Sequence, residues 1–264
     1  MARAKRHYIP GYIWHITHRC HKREFLLKFS RDRHRYLQWL YQARKRYGLT
    51  ILNYMVTCNH VHLIVVDDGD REVIPSSMQL VAGRTGQEYN QRKSRKGAYW
   101  EDRYHATAVE SGDHLARCMA YLDTNMVRAG VVSHPSMWPC CGYNEIQEPR
   151  RKNILIDYER LQGLFGAWSY DQLRSSHKGW VEEYLGDGDN VRHEEWTDSL
   201  AVGSRPFVDK VKSLLGLRAK GRKVIEAGEG YQVREGTIPY KALFEAEKED
   251  IGPKNTYFWD IDPE

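Results

Sequence analysis

The stretch "LTILNYMVTCNHVHLIVV", Leu49 to Val66, constrains the fold more than any other part of the chain. It is apolar over 18 letters, roughly three times the usual strand length, so it must fold back on itself. The only turn-forming letters inside it are Cys58 and Asn59, which predicts a strand Thr50 to Thr57, a tight turn, and a strand His60 to Val66.

The segments around this hairpin fit one scheme. "YIWHITHR", Tyr12 to Arg19, alternates like a strand. "SRDRHRYLQWLYQARKRYG" reads as a helix opened by Ser30 as N-cap, with Tyr36, Leu37, Leu40 and Tyr41 at helical spacing, and stopped at Gly48. Further on, the pattern predicts a helix from about Ser76 to Arg92, a strand near Tyr104 to Val109, and a helix Asp113 to Arg128 closed by Gly130. Strand, helix, hairpin, helix, strand, helix is the order of an α+β, ferredoxin-like antiparallel sheet with helices on one side. We assign residues 1–135 to this domain and 136–264 to a mainly helical C-terminal extension. In the extension, "DYERLQGLFG", "WSYDQLRSSHKGWVEEYLG" and "RPFVDKVKSLLGLRAKGRKVI" read as helices, and the aromatics of "YFWDIDPE" as a tail that docks back on the domain.

No apolar run approaches the roughly 18 to 20 residues needed to span a bilayer, and the N-terminus carries no signal-peptide pattern, which points to the cytoplasm. The five cysteines are odd in number and form no CxxC pair, so the sequence indicates reduced thiols rather than a disulfide framework or structural zinc site. Charge is unevenly spread. Residues 1–50 hold 13 Lys and Arg against two Asp and Glu, whereas the rest of the chain nets −6, an asymmetry that suggests an anionic partner on the N-terminal part. The basic cluster includes Arg19, Lys22, Arg23, Arg44, Lys45 and Arg46, interleaved with Tyr12, Trp14, Phe25, Phe29, Tyr36 and Trp39. Cations neutralise phosphates and aromatic faces stack on unpaired bases, so single-stranded nucleic acid fits the mixture; a solvated helix face over an aromatic core fits it equally.

Alternation along the second hairpin strand sends His60 and His62 to one face. Two imidazoles there supply half of a divalent-metal site, or are simply two satisfied histidines. In "MAYLDTNMVRAGVV", Met119 to Val132, helical spacing places Leu115, Met119, Leu122 and Met126 on a buried stripe, with Tyr121 and Asn125 sharing another face. Asn125 offers a neutral oxygen that can complete a metal shell beside Tyr121. Arg128 contacts a phosphate or complements the helix dipole.

"CNHVHLIVV" followed some 60 residues later by "YLDTNMVRAGVV" resembles the single-tyrosine transposases of the His-hydrophobic-His (HUH) superfamily, and the "N-x-VRAG-V" ending is similar to their REP-associated branch. "HITHR" at His15 to Arg19 and "WEDRYHATAVES" at Trp100 to Ser111 agree with it. The resemblance covers about residues 8 to 145. The family usually shows proline where this chain has Cys58 and Met126. The resemblance implies that Tyr121 attacks a DNA phosphodiester to leave a 5′-phosphotyrosine and a 3′-hydroxyl, that His60, His62 and Asn125 hold Mg²⁺ or Mn²⁺, and that the substrate is single-stranded DNA bearing a REP-like palindromic hairpin. Arg19, Lys22, Arg23, Arg44, Lys45, Arg46, Trp100, Arg103 and Arg128 are then the candidate DNA contacts, in a monomer or homodimer. The alternative is a non-catalytic hairpin-binding regulator with the same fold. HIT-type nucleotide hydrolases would need a third histidine where Ile64 stands, and relaxases carry their tyrosine before the histidine pair.

Overall fold

The computed structural model describes residues 9–186, 193–228 and 230–235, without the side chains of 218 and 235. Arg3, Lys5, Arg6 and Tyr8 of the basic N-terminus and the tail "YFWDIDPE" lie outside the described residues. The first half follows the expected order: β1 (Ile13–Arg19), α1 (Ser30–Tyr47), β2 (Thr50–Val56), β3 (His60–Val66), α2 (Val73–Arg92), β4 (His105–Val109) and α3 (Asp113–Asp123). Helix α1 ends at Gly48, whose φ of 74° is left-handed. Its N-cap is Phe29 rather than Ser30, whose hydroxyl pairs instead with His34 Nδ1 at 2.9 Å. Helix α2 starts three residues earlier than expected, because Pro75 falls in the first turn, where a missing N–H costs nothing.

The helix expected to run from Asp113 to Arg128 is two pieces, α3 and α4 (Asn125–Arg128), joined at Thr124. The Thr124 hydroxyl donates back to the Ala120 carbonyl at 2.8 Å, a side-chain bond that competes with the helix ladder and bends it. The Arg128 guanidinium takes the next carbonyl, that of Tyr121, at 2.7 Å.

The first four strands form an antiparallel sheet in the order β2-β3-β1-β4, the ferredoxin-like arrangement. Helices cover both faces rather than one. Strand β1 is buried through both sets of alternating side chains, so each face needs a cover. Its even-numbered side chains face α1, where His18 stacks on Trp100 and Trp100 meets Tyr36 edge-on. Its odd-numbered side chains face the other way, where His15 Nδ1 lies 2.8 Å from the Trp196 carbonyl.

After α4 the chain adds α5 (Gly142–Gln147), α6 (Tyr158–Leu164), α7 (Tyr170–Gly186), α8 (Glu195–Asp198), β5 (Ala201–Gly203), α9 (Arg205–Leu215), β6 (Arg222–Ala227) and β7 (Gly230–Glu235). Strand β5 pairs parallel with β4, and β7 and β6 follow antiparallel, giving a seven-stranded sheet that crosses the 135/136 boundary. The last expected helix stops at Leu215. Gly216 (φ 53°) and Gly221 (φ 83°) turn the chain, and "RKVIEA" becomes β6.

A buried polar network ties the extension to the helix that carries Tyr121. Asp123 has no solvent exposure and accepts from Asn53 Nδ2 at 3.1 Å and from His177 Nε2, on α7, at 2.8 Å. Gln147 Nε2 donates to the other ring nitrogen of His177 at 3.1 Å. Gly142 sits so close that a Cβ there would lie 2.0 Å from Asn53 Oδ1, so only glycine fits.

Candidate active site

In the β1–β3 register, Arg19 lies opposite His60 and Thr17 opposite His62, so all four side chains project from one face. Tyr121 approaches that face from α3, its ring centroid 6.4 Å from that of His62 and nearly perpendicular to it. Together with Arg23, Asn59, Asn125, Arg128, Ala129 and Thr197 they line a cleft of about 290 Å³.

Hydrogen bonds orient both imidazoles. In the turn before β3, Thr57 Oγ1 accepts from the His60 backbone N–H at 3.0 Å. Asn59 donates through Nδ2 to the Arg23 carbonyl, so its Oδ1, 2.7 Å from His60 Nδ1, is the acceptor for that ring nitrogen. His60 then carries its lone pair on Nε2. His62 Nδ1 lies 2.9 Å from His15 Nε2, and His62 Nε2 lies 3.2 Å from Asn125 Nδ2.

Burial keeps the His62 and His15 rings neutral. Burial drives the His62 pKa well below its usual value, and His60, His15, Arg128 and Arg19 add to the effect. His15 is lowered to about 4, mainly by burial, with its bond to the Trp196 carbonyl opposing and His105 reinforcing. Neutral imidazole is the form that binds metal. Among the described residues no cluster of three or more His, Cys, Asp and Glu could hold a metal ion. His60, His62 and the Asn125 amide nevertheless suit a divalent cation: two imidazole nitrogens on a rigid strand and an amide that can offer an oxygen, with remaining positions open to phosphate oxygens and water.

Tyr121 is only 2% exposed. Arg128 lays its guanidinium over the ring, and His193 and Trp196 from the extension pack against it, with centroids 5.9 and 6.3 Å away.

The cleft thus brings together Tyr121, His60, His62, Asn125, Arg19, Arg23 and Arg128 of the sequence-predicted residues. Lys22 is exposed on the adjoining loop, where it and Arg23 both adopt positive φ, 51° and 60°. The others lie elsewhere. Trp100 is stacked on His18 across the sheet and donates its indole N–H to the Ala82 carbonyl at 3.0 Å. Arg103 is exposed on the loop before β4 and does not line the cleft. Arg44, Lys45 and Arg46 close α1 beside Thr50, which pairs with Val66, at the sheet end away from His60. Arg44 there donates to the Ile154 carbonyl at 3.0 Å. Sequence reasoning did not single out Thr57, His15, His193, Trp196 or Thr197. The alternation of "HITHR" puts His15 on the same face as Arg19, which was a usable signal; the extension residues carried none.

The family model for IS200-like transposases matches residues 9–125. That segment is similar to the IS200-like transposases. The matched segment supplies His60, His62, Tyr121 and Asn125, whereas Arg128, Ala129 and Thr197 lie beyond the match. Among solved structures, the chain is similar to a REP-associated tyrosine transposase bound to a REP hairpin: 20% identity, 55% of this chain and 84% of that one, TM-score 0.46. It is also similar to a protein of Deinococcus radiodurans R1 described as a transposase, with 16% identity over 43% of this chain and 89% of that one, TM-score 0.32. No curated protein sequence matches significantly. No described helix is long and apolar enough to cross a membrane.

Proposed function

We propose that the protein is a single-tyrosine DNA transposase of the REP-associated type, cleaving and rejoining single-stranded DNA at palindromic hairpins. The observation that carries this reading is the convergence of Tyr121, His60, His62 and Asn125, drawn from two segments some 60 residues apart, on one cleft rimmed by Arg19, Arg23 and Arg128. The Tyr121 phenolate oxygen attacks phosphorus, the P–O3′ bond breaks, and the leaving 3′ oxygen takes up a proton. The 5′-phosphotyrosine retains the phosphodiester energy, so a 3′-hydroxyl reverses the step and restores the phenol. Mg²⁺ or Mn²⁺, held by His60, His62 and Asn125, would supply Lewis-acid stabilisation of the charge on the non-bridging oxygens. Arg19 and Arg23 bind the flanking phosphates, and Arg128 supports Tyr121.

The burial of Tyr121 favours a second reading, a hairpin-binding regulator that keeps the fold without cutting. Incubation with labelled single-stranded hairpins and Mg²⁺ or Mn²⁺ separates the two. The transposase gives a denaturation-resistant adduct that maps to the peptide containing "YLDTNMVR". Binding across a hairpin panel without any adduct gives the regulator.

A further inference from the structure

The geometry points to His15 as a positioning residue that fixes His62 in the tautomer whose Nε2 lone pair faces the cleft. One chain of hydrogen bonds sets that tautomer. The Trp196 carbonyl is an acceptor only, and His15 Nδ1 lies 2.8 Å from it, so that nitrogen carries a proton. His15 has no solvent exposure. No carboxylate is among its hydrogen-bond partners, so the ring is neutral and its Nε2 is an acceptor. His62 Nδ1, 2.9 Å away, is therefore the donor, which leaves the His62 lone pair on Nε2. The Asn125 amide, with Nδ2 3.2 Å from that nitrogen, points a donor at the lone pair and agrees in polarity. The reverse tautomer would set two lone pairs against each other between His15 and His62.

The chain starts in the extension and ends at the reaction cleft. Trp196 belongs to α8, outside the segment matched by the transposase family, and its carbonyl also accepts from Thr107 Oγ1 at 3.3 Å. Strand β1 carries His15 one alternation away from Thr17, the residue opposite His62. The extension thus holds a ring of the matched segment in a ligand-ready orientation without touching substrate, as partners behind a metal-binding histidine do. Only the identity of the cation rests on the proposed function; the tautomer does not.

The test uses metal-free full-length protein labelled with ¹⁵N-histidine. We expect His62 to show a protonated Nδ1 and an unprotonated Nε2. Thr17 Oγ1, 3.4 Å from His62 Nδ1, is a substitute acceptor, so the perturbing variant is His15→Leu with Thr17→Val. That variant is expected to populate the Nε2–H tautomer and to lose about 10- to 100-fold in Mn²⁺ affinity, read by electron paramagnetic resonance. His15→Gln, which retains an acceptor and a donor, should restore the wild-type pattern, a rescue that a merely space-filling role would not give. An Nε2–H tautomer in the wild type overturns the proposal, and this readout stands even if the leucine variant fails to fold. An unchanged His62 spectrum in a folded leucine variant overturns it too. Wild type with the expected tautomer but no Mn²⁺ binding would sustain the positioning role and sink the metal reading instead.

Discussion

Arg128 lies with its guanidinium carbon 4.0 Å above the ring of Tyr121 and donates a 2.7 Å hydrogen bond to the carbonyl of the same residue. One side chain therefore fixes both the ring and the backbone at the end of α3. A planar fork is needed to stack and donate together, which an ammonium cannot reproduce. Arg128→Lys is expected to lower adduct formation at least about tenfold while hairpin affinity changes little. Single-turnover cleavage compared with equilibrium binding checks it.

Tyr121→Phe removes only the phenolic oxygen and keeps the ring that His193, Trp196 and Arg128 contact. Hairpin binding should stay near wild type while cleavage and the covalent adduct vanish. Undiminished cleavage, or an adduct mapped to another tyrosine, would remove Tyr121 from its assigned role.

His60→Ala and His62→Ala should each abolish metal-dependent cleavage in a folded protein, whereas Asn125→Ala should act more mildly because water replaces a neutral oxygen donor. Cleavage assays across a Mn²⁺ titration, with circular dichroism for folding, distinguish the cases. Equal activity of the double histidine variant in chelator and in Mg²⁺ would count against any metal.

The two basic groups should separate in salt dependence. Arg19 and Arg23 line the cleft, whereas Arg44, Lys45 and Arg46 sit at the far end of the sheet. Replacing Arg19 and Arg23 with Gln should reduce the slope of log K against log salt by up to about one unit per lost phosphate contact. The triple Arg44, Lys45, Arg46 replacement should change it less, and the reverse order would relocate the DNA path.

Acid should destabilise the fold before its carboxylates titrate. His15 stays neutral when folded down to about pH 4. An unfolded histidine takes up its proton near pH 6.5, so the unfolded state binds more protons across that window. Stability contributed by the buried neutral ring is complete above pH 6.5 and falls as pH drops toward 4, by up to about 3 kcal/mol. His62, shifted the same way, adds to the trend. Urea melts of wild type and His15→Gln across this range should differ, with the flatter profile in the variant.

The alternation of "HVHLIVV" and the forced hairpin of Leu49 to Val66 already determined that His60 and His62 share a face, because side-chain direction in a strand follows from parity alone. The order of elements through Asp123 likewise followed from periodicity and turn letters, as did the segregation of positive charge. The break after α3 accompanies local side-chain bonds, Thr124 to the Ala120 carbonyl and Arg128 to that of Tyr121, which helical periodicity does not register. Tertiary structure decided the destination of "RKVIEA": a short strand with a mixed pattern reads equally as a helix end until β7 lies beside it. The surroundings of the cleft depended most on the fold. His15 and the Trp196 carbonyl are 181 residues apart, and no local preference relates them. Their meeting requires β5 to pair beside β4 so that α8 lies over β1, a long-range packing outcome in which burial and hydrogen-bond satisfaction are settled together.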